Sequence, residues 1–356
     1  MTRFFKLDGA VACCGAHAAE QVLDALGVPI SKAIDPTTRA GFLRIVGQVR
    51  RALQGATADG EAAAVRAALN ALDVDWPNLT AEARDRALEA AREAIGTAAA
   101  RAMPKVEETF RIVGRPVMGE ARAGAVRRFG LKVETSLSLR DLAAERYVRA
   151  STANFVRDAY GVRRDELAGI ARETVARGLT EGVGRDAIAR DLRDALGDRV
   201  MRSQSYWQVV ANQFVGSART FSQLGAYGDA GIEAYRFVAV LDEVTTDQCR
   251  FYDGKVFSTR EGLALRDRLI NLTDPDQVYD SNPWVRSGTD ADGNRVLYVE
   301  RGGQRTVVAQ VERSGVGARD DRGQFSGGMG ARELESIGAP WPPLHANCRS
   351  DTEPVV

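Results

Sequence analysis

Tyr235-Arg-Phe-Val-Ala-Val-Leu241 is the stretch in which the sequence changes from helical to strand periodicity. Apolar residues occupy both of its alternating faces, which predicts a strand that is covered on both sides. Lys255-Val-Phe257 predicts a second short strand. The segments 295–300 and 305–311 flank Gly302-Gly303 and predict a β-hairpin. The sequence after residue 233 is therefore typical of an α+β domain.

Upstream of this stretch, from about residue 9 to about residue 230, the sequence is typical of successive helices. Ala81 to Met103 is rich in alanine, glutamate and arginine, which lose little side-chain freedom in a helix, and we expect Pro104 to end it. Ser138-Leu-Arg-Asp141 predicts a capping box at the start of another helix. Gly197 is expected to end a later one.

These patterns predict two regions. The first is a mainly α N-terminal region, residues 1–165, and the second is an α+β C-terminal domain, residues 166–356, with a small antiparallel sheet. Ser258-Thr-Arg-Glu261 predicts the start of a helix, so the segment 258–340 is expected to add a helix and a hairpin as a small appendage on the C-terminal domain.

Composition excludes several classes of protein. The 356 residues are 44% hydrophobic and 27% charged, as in a globular protein, and no run approaches the ~20 apolar residues of a membrane helix. We expect no secretory signal at Met1 to Gly9 and no membrane partner. Four cysteines are too few for a disulfide scaffold, and the adjacent Cys13 and Cys14 are assigned no role. The net charge is zero, which predicts no general affinity for nucleic acids, although only five of the 48 basic residues are lysine.

Two segments carry the candidate chemistry: 241–257, which reads Leu-Asp-Glu-Val-Thr-Thr-Asp-Gln-Cys-Arg-Phe-Tyr-Asp-Gly-Lys-Val-Phe, and 342–350, which reads Pro-Pro-Leu-His-Ala-Asn-Cys-Arg-Ser. Three interpretations of Cys249, His345 and Cys348 stay open. In the first they are zinc ligands, and Asp242 or Asp253 completes the site. In the second a cysteine and the histidine form a catalytic nucleophile. In the third they are structural: the cysteines are small buried thiols or form a disulfide, and they hold the two segments together.

Together the two segments resemble the head-morphogenesis domain of tailed bacteriophages, the family of phage Mu protein F. The matching positions are Asp242, Thr245, Thr246, Cys249, Asp253, Gly254, Lys255 and Val256, then Pro342, Pro343, His345, Asn347, Cys348, Arg349 and Ser350. The resemblance covers about residue 170 to residue 356. The sequence differs from the family pattern at Val244, where arginine is frequent, and in the long segment between the two motifs.

The resemblance implies a minor structural head protein of a tailed phage or phage-like particle, located in the virion head near the portal vertex and in the host cytoplasm during assembly. It implies the portal protein and other head or neck proteins as partners, with packaged DNA as a further one. It also implies a role in head assembly that extends to DNA packaging or delivery. We expect no enzymatic activity and no cofactor. Zinc is the one possible exception, because Cys249, His345 and Cys348 could bind it.

Two other functions compete with this one. The resemblance also implies an ADP-ribosyltransferase-like or toxin-type enzyme, which would need a glutamate in a dinucleotide cleft; Glu300, Glu312 and Glu333 are available. Nucleotide, protease and esterase signatures are missing from the sequence. A nucleic-acid-binding module could use the paired arginines, which are Arg127, Arg128, Arg163 and Arg164.

Overall fold

The computed structural model describes residues 34–200, 204–272, 274 and 277–356. The Cys13-Cys14 pair lies outside these residues. Among the helices of the described ranges, none contains an apolar stretch long enough to cross a bilayer.

The first part of the described chain is helical. It contains α1 (Arg39–Leu72), a 3-10 helix (Trp76–Asn78), α2 (Ala81–Phe129), α3 (Leu139–Thr180), α4 (Arg185–Val200) and α5 (Gln204–Asp229). Threonine and serine hydroxyls cap three of them: Thr38 accepts a hydrogen bond from the Gly41 N–H and Thr80 from the Ala83 N–H, while Ser138 forms the predicted capping box with Asp141.

Two predicted helix ends are wrong. Helix α2 continues through Pro104 and ends only at Gly130, which has the left-handed φ of 64° that glycine adopts without strain. A proline inside a helix costs about 3 kcal/mol, and burial of Met103 and Val106 on either side of Pro104 offsets that cost. Helix α4 likewise continues past Gly197 to Val200, because an interior glycine costs only about 1 kcal/mol relative to alanine.

The C-terminal part begins with a small three-stranded antiparallel sheet in the order β2-β1-β7. Its strands are β1 (Ala234–Val238), β2 (Val256–Ser258) and β7 (Asp351–Val355). Between β1 and β2 lies the short helix α6 (Asp247–Tyr252), and α7 (Thr259–Ile270) follows β2 with Ser258 as its N-cap. The two strands predicted at 235–241 and 255–257 are present, the first ending earlier than predicted; strand β7 was not predicted.

The segment between the two motifs forms a second antiparallel sheet, in the order β3-β4-β5-β6. It contains α8 (Gln277–Ser281), β3 (Arg286–Thr289), β4 (Arg295–Arg301), β5 (Gln304–Arg313), β6 (Gln324–Ser326) and α9 (Ala331–Ser336). The predicted helix and hairpin are confirmed. The segment is more than an appendage, because Leu297, Val299 and Val308 are fully buried in the main core.

The fold class is confirmed: a long helical region precedes a C-terminal part with two small antiparallel sheets. The main core takes residues from α1, α2, α3 and α5 as well as from both sheets. The boundary proposed between residues 165 and 166 falls inside α3. A second cluster, here called the distal core, is formed by Ala68, Leu72, Trp76, Leu88, Ala91, Ile95, Leu167, Ala171, Val175, Ile188, Leu192 and Leu196.

Candidate functional site

The three-stranded sheet brings the two motif segments together. Strands β1 and β7 are antiparallel, with Val238 opposite Asp351 at one end of the ladder. The chain leaves β1 at this end toward the first motif and enters β7 at the same end from the second motif. Residues 242–252 and 345–350 therefore meet beside the sheet; we call this region the motif junction.

The first contact of the motif junction is an ion pair on Asp242, whose side chain is only 8% exposed. Arg349 donates two hydrogen bonds to its carboxylate, Nη1 to Oδ2 at 2.8 Å and Nη2 to Oδ1 at 2.7 Å. Arg39 of α1 donates a third at 2.9 Å, and the Thr245 hydroxyl lies 2.8 Å from Oδ1. The hydrogen bonds from Arg349 hold the pKa of Asp242 well below its ordinary range, against the opposing effect of desolvation.

The second contact joins Cys249 of α6 to the turn at His345–Cys348. Cys249 Sγ lies 3.1 Å from His345 Nε2 and 3.7 Å from Cys348 Sγ. Asn347, at φ 60°, and a hydrogen bond from the Cys348 N–H to the His345 carbonyl close the turn, so both side chains face α6. The ligand atoms of the three residues all lie within 4.8 Å of one another, and both thiols are free.

Asp242 does not belong to this sulfur–imidazole group, although the sequence suggested it as a fourth metal ligand. Both of its carboxylate oxygens accept charge-assisted hydrogen bonds, from Arg349 and from Arg39. Asp253, the other carboxylate considered, accepts a hydrogen bond from the Ala239 N–H and pairs with Arg322. The structure therefore brings together Cys249, His345 and Cys348 and leaves out both aspartates that were suggested as a fourth ligand.

The two thiols have different ionisation properties. The hydrogen bond from Cys348 lowers the pKa of Cys249, and Ser350 and Thr246 act in the same direction. Burial raises the pKa of Cys348, and the neighbouring Cys249 raises it further.

Helix α5 is a platform for the second motif that sequence reasoning missed. Three of its polar side chains donate hydrogen bonds to the second motif and to β7. The Asn212 amide donates to Asn347 Oδ1 at 2.8 Å, and the Thr220 hydroxyl donates to the Pro342 carbonyl at 2.8 Å. The Tyr227 hydroxyl donates to the Thr352 carbonyl at 3.0 Å. Arg219 donates to the Ser350 carbonyl. The signal was available: these polar residues recur at helical spacing on an otherwise apolar segment.

Arg250 is a second residue whose role was missed. It is buried, and it donates hydrogen bonds to four carbonyl oxygens: those of Asp242 and Thr245 in the first motif, and those of Ala318 and Asp321 in the inserted segment. The Asp242 carbonyl also accepts from the Thr245 N–H, but Arg250 is the side chain that contacts all four oxygens, so it joins the turn after β1 to the inserted segment.

The remaining motif residues shape the backbone. Gly254 has a φ of 82°, which lets the chain reverse into β2. Lys255 lies 4.2 Å above the ring of Phe251 and donates to the Met329 carbonyl. Pro343 packs near Gly216 of α5. The motif is thus built mainly from contacts that fix its own loops.

An open cleft with a volume of about 510 Å³ adjoins the motif junction, and we call it the motif cleft. Its walls include Asn212, Thr246, Cys249, His345 and Arg349, and no described aspartate or glutamate lines it. The three glutamates considered for an enzyme have other partners: Glu300 pairs with Arg286, Glu312 with Ser326, and Glu333 with the Gly330 N–H.

The arginines considered for nucleic-acid binding are paired with carboxylates. Arg128 contacts Asp351 and Glu353, Arg127 lies 3.7 Å from Asp35, Arg163 pairs with Glu166, and Arg164 with Asp165. Paired arginines offer less to a phosphate than free ones, so these positions lend little support to nucleic-acid binding.

Searches for matching protein families, for curated relatives and for similar solved structures found no match.

Proposed function

We propose that this protein is a minor structural head protein of a tailed phage or phage-like particle, associated with the portal vertex and acting in head assembly. The observation that carries the proposal is the motif junction. The two segments that resemble this family lie far apart in the sequence, with Cys249 and His345 96 positions apart, yet they form one packed unit with the bidentate Asp242–Arg349 pair. Such a unit is what a single domain built from both segments requires.

The helical region supports a role in assembly. Helix α2 contains 49 residues and extends about 74 Å. It packs along α1 and α3, which contain 34 and 42 residues, so the three helices form an extended bundle. Because the resemblance implies the portal protein and other head or neck proteins as partners, we infer that this region contacts them.

The alternative function is an ADP-ribosyltransferase-like or toxin-type enzyme. It receives less support, because no described carboxylate lines the motif cleft and the available glutamates have partners elsewhere. Incubation of the full chain with NAD, followed by measurement of released nicotinamide, tests it directly. Turnover that exceeds a buffer control would contradict the structural proposal.

The proposed function is tested by co-expressing the full chain with a portal and a capsid protein, whose genes we expect beside its own. We expect it to sediment with particles at a few copies each and to cross-link to the portal ring. Arg349→Gln, which removes the pair with Asp242, should reduce incorporation. Arg319→Gln, which removes an exposed pair with Glu243, is the matched control and should not. Absence of the wild-type chain from particles would refute the proposal.

The proposed role extends to contact with packaged DNA. The ion pairs of Arg127, Arg128, Arg163 and Arg164 do not favour DNA contact at these four positions. A filter-binding titration of the full chain with duplex DNA at two salt concentrations tests this part separately. Affinity that falls steeply as salt rises would support direct DNA contact, because binding releases counterions. Unmeasurable binding at low salt would limit the role to protein contacts.

A further inference from the structure

We propose that Cys249, His345 and Cys348 bind one zinc ion, whose fourth coordination position opens into the motif cleft. The inference is independent of the function proposed above. Two thiolates and one imidazole are a common donor set for zinc, and they are not a set preferred by magnesium or calcium. These are the only described residues that form such a group of three potential ligands.

The positions of the sulfur atoms fit an ion between them. Two sulfurs that are each about 2.3 Å from a tetrahedral zinc lie about 3.8 Å apart. Cys249 Sγ and Cys348 Sγ are 3.7 Å apart, well beyond the ~2.05 Å of a disulfide. A sulfur and an imidazole nitrogen on the same ion lie about 3.6 Å apart, whereas Cys249 Sγ and His345 Nε2 are 3.1 Å apart. Binding therefore needs the imidazole to move away from Cys249 Sγ, and the ligand atoms of all three residues already lie within 4.8 Å of one another.

The imidazole of His345 is oriented as a metal ligand. Its Nδ1 lies 2.5 Å from the carbonyl oxygen of Ala346, which can only accept, so Nδ1 carries the proton. Nε2 is then the atom with the free lone pair, and it faces Cys249 Sγ and the Thr246 hydroxyl at 2.9 Å. A backbone carbonyl that holds the distal N–H is the usual second partner of a zinc-bound histidine.

The fourth position is left for water. No further cysteine, histidine, aspartate or glutamate of the described chain belongs to the group. Cys249 and His345 both line the motif cleft, so a molecule from solvent can reach an ion between them. Asn212 also lines the cleft, and its Oδ1 is buried without a hydrogen-bond partner among the described residues. Three protein ligands and one water are the arrangement of open zinc sites.

Metal analysis of the full chain, purified without chelators under reducing conditions, tests the proposal. We expect about one zinc per chain, reduced at least tenfold in Cys348→Ser and His345→Ala. The double variant Cys13→Ser/Cys14→Ser is the matched control, because it removes the other two cysteines and should keep the zinc. His345→Cys, which keeps a zinc-binding side chain, should retain metal and separates loss of a ligand from loss of the fold. Wild-type protein without zinc, or with a mass lower by two hydrogens because the cysteines form a disulfide, would overturn the proposal.

Cobalt substitution tests the fourth position. The cobalt form should show the thiolate charge-transfer band and the strong visible absorption of a tetrahedral site, and both should be lost in Cys348→Ser. Addition of azide or imidazole should then change the visible spectrum, because the exogenous ligand replaces water in the cleft. A cobalt spectrum that no added ligand changes would overturn the open-site part of the proposal, since it would indicate four protein ligands.

Discussion

The distal core and the motif junction are stabilised by different interactions. Around Trp76 the packing is almost entirely apolar, and the indole N–H is satisfied locally by the Leu72 carbonyl at 3.0 Å. Around Cys249 the contacts are polar, several are charged, and most connect segments far apart in the sequence. The stability of the distal core therefore comes from apolar faces that repeat with the helix period. The stability of the motif junction comes from individual hydrogen-bond donors and acceptors that must lie at fixed distances.

This difference has an energetic consequence. An apolar cluster tolerates a change in shape with a graded loss of stability, because burial is not directional. A buried polar network does not, since removal of one donor leaves its acceptors without partners. Substitutions should therefore have uneven effects at the motif junction and graded effects at the distal core.

The largest effect is expected from Arg250→Met. It keeps a long apolar side chain but removes the donor to four carbonyl oxygens, and we expect a loss of about 4 kcal/mol in the free energy of unfolding. Urea denaturation measures it. Arg260→Met, at an arginine with 88% exposure, is the control and should change stability by less than about 0.5 kcal/mol. Equal effects of the two would refute the role assigned to Arg250.

The next effect is expected from Leu167→Ala in the distal core. The side chain is fully buried, so its truncation should cost about 3 kcal/mol. Hydrogen exchange should show faster exchange in the helices of the distal core, while amides of β1 and β7 keep their protection. Val162→Ala, on the same helix but 62% exposed, is the matched control. If the amides of β1 and β7 lose as much protection as those of the distal core, the two regions unfold as one unit. That result would contradict the separate stabilisation of the distal core and the motif junction.

A smaller, pH-dependent effect is expected from Asp242→Asn. The paired carboxylate has a lowered pKa in the folded state, so its stabilisation is present above the ordinary value of 3.8 and is lost as the pH falls below it. The variant should lose about 2 kcal/mol at neutral pH. Between neutral pH and pH 3 its urea midpoint should fall less than that of the wild type. Asp292→Asn, in an exposed turn, controls for the change in net charge. Parallel curves for wild type and Asp242→Asn would contradict the assignment.

The smallest effect is expected from Arg92→Gln. Arg92 pairs on the surface of the helical region with Glu89 at 2.9 Å and with Asp165 at 3.1 Å. Exposed ion pairs add little because water and salt screen them, so the thermal midpoint should not change measurably at physiological salt. A clear loss of stability there would show that charged pairs matter outside the motif junction as well.

The sequence predicted the fold class because helix and strand periodicities are local. The capping box at Ser138–Asp141 and the hairpin at Gly302-Gly303 are confirmed for the same reason. It failed at Pro104 and Gly197, where tertiary packing or a modest local cost decided the outcome. Strand β7 was missed because its pairing partner β1 lies more than a hundred residues upstream.

The candidate site was predicted only in part. The sequence singled out Cys249, His345 and Cys348, and the structure brings them together. It could not assign the partner of Asp242, because both Arg349 and Arg39 come from distant segments. Nor did it indicate the carbonyl oxygens that Arg250 contacts, since a backbone acceptor leaves no trace in residue identity.

The pairing of β1 with β7 also sets an order of events during synthesis. Cys249 leaves the ribosome 96 residues ahead of His345, which corresponds to about 5 to 20 s of translation. Throughout that interval the first motif has a free thiol, Asp242 lacks its bidentate partner Arg349, and β1 lacks its neighbour β7. A chaperone or an oxidant that acts on this protein therefore has its opportunity in those seconds, before residues 345–355 emerge and close the unit.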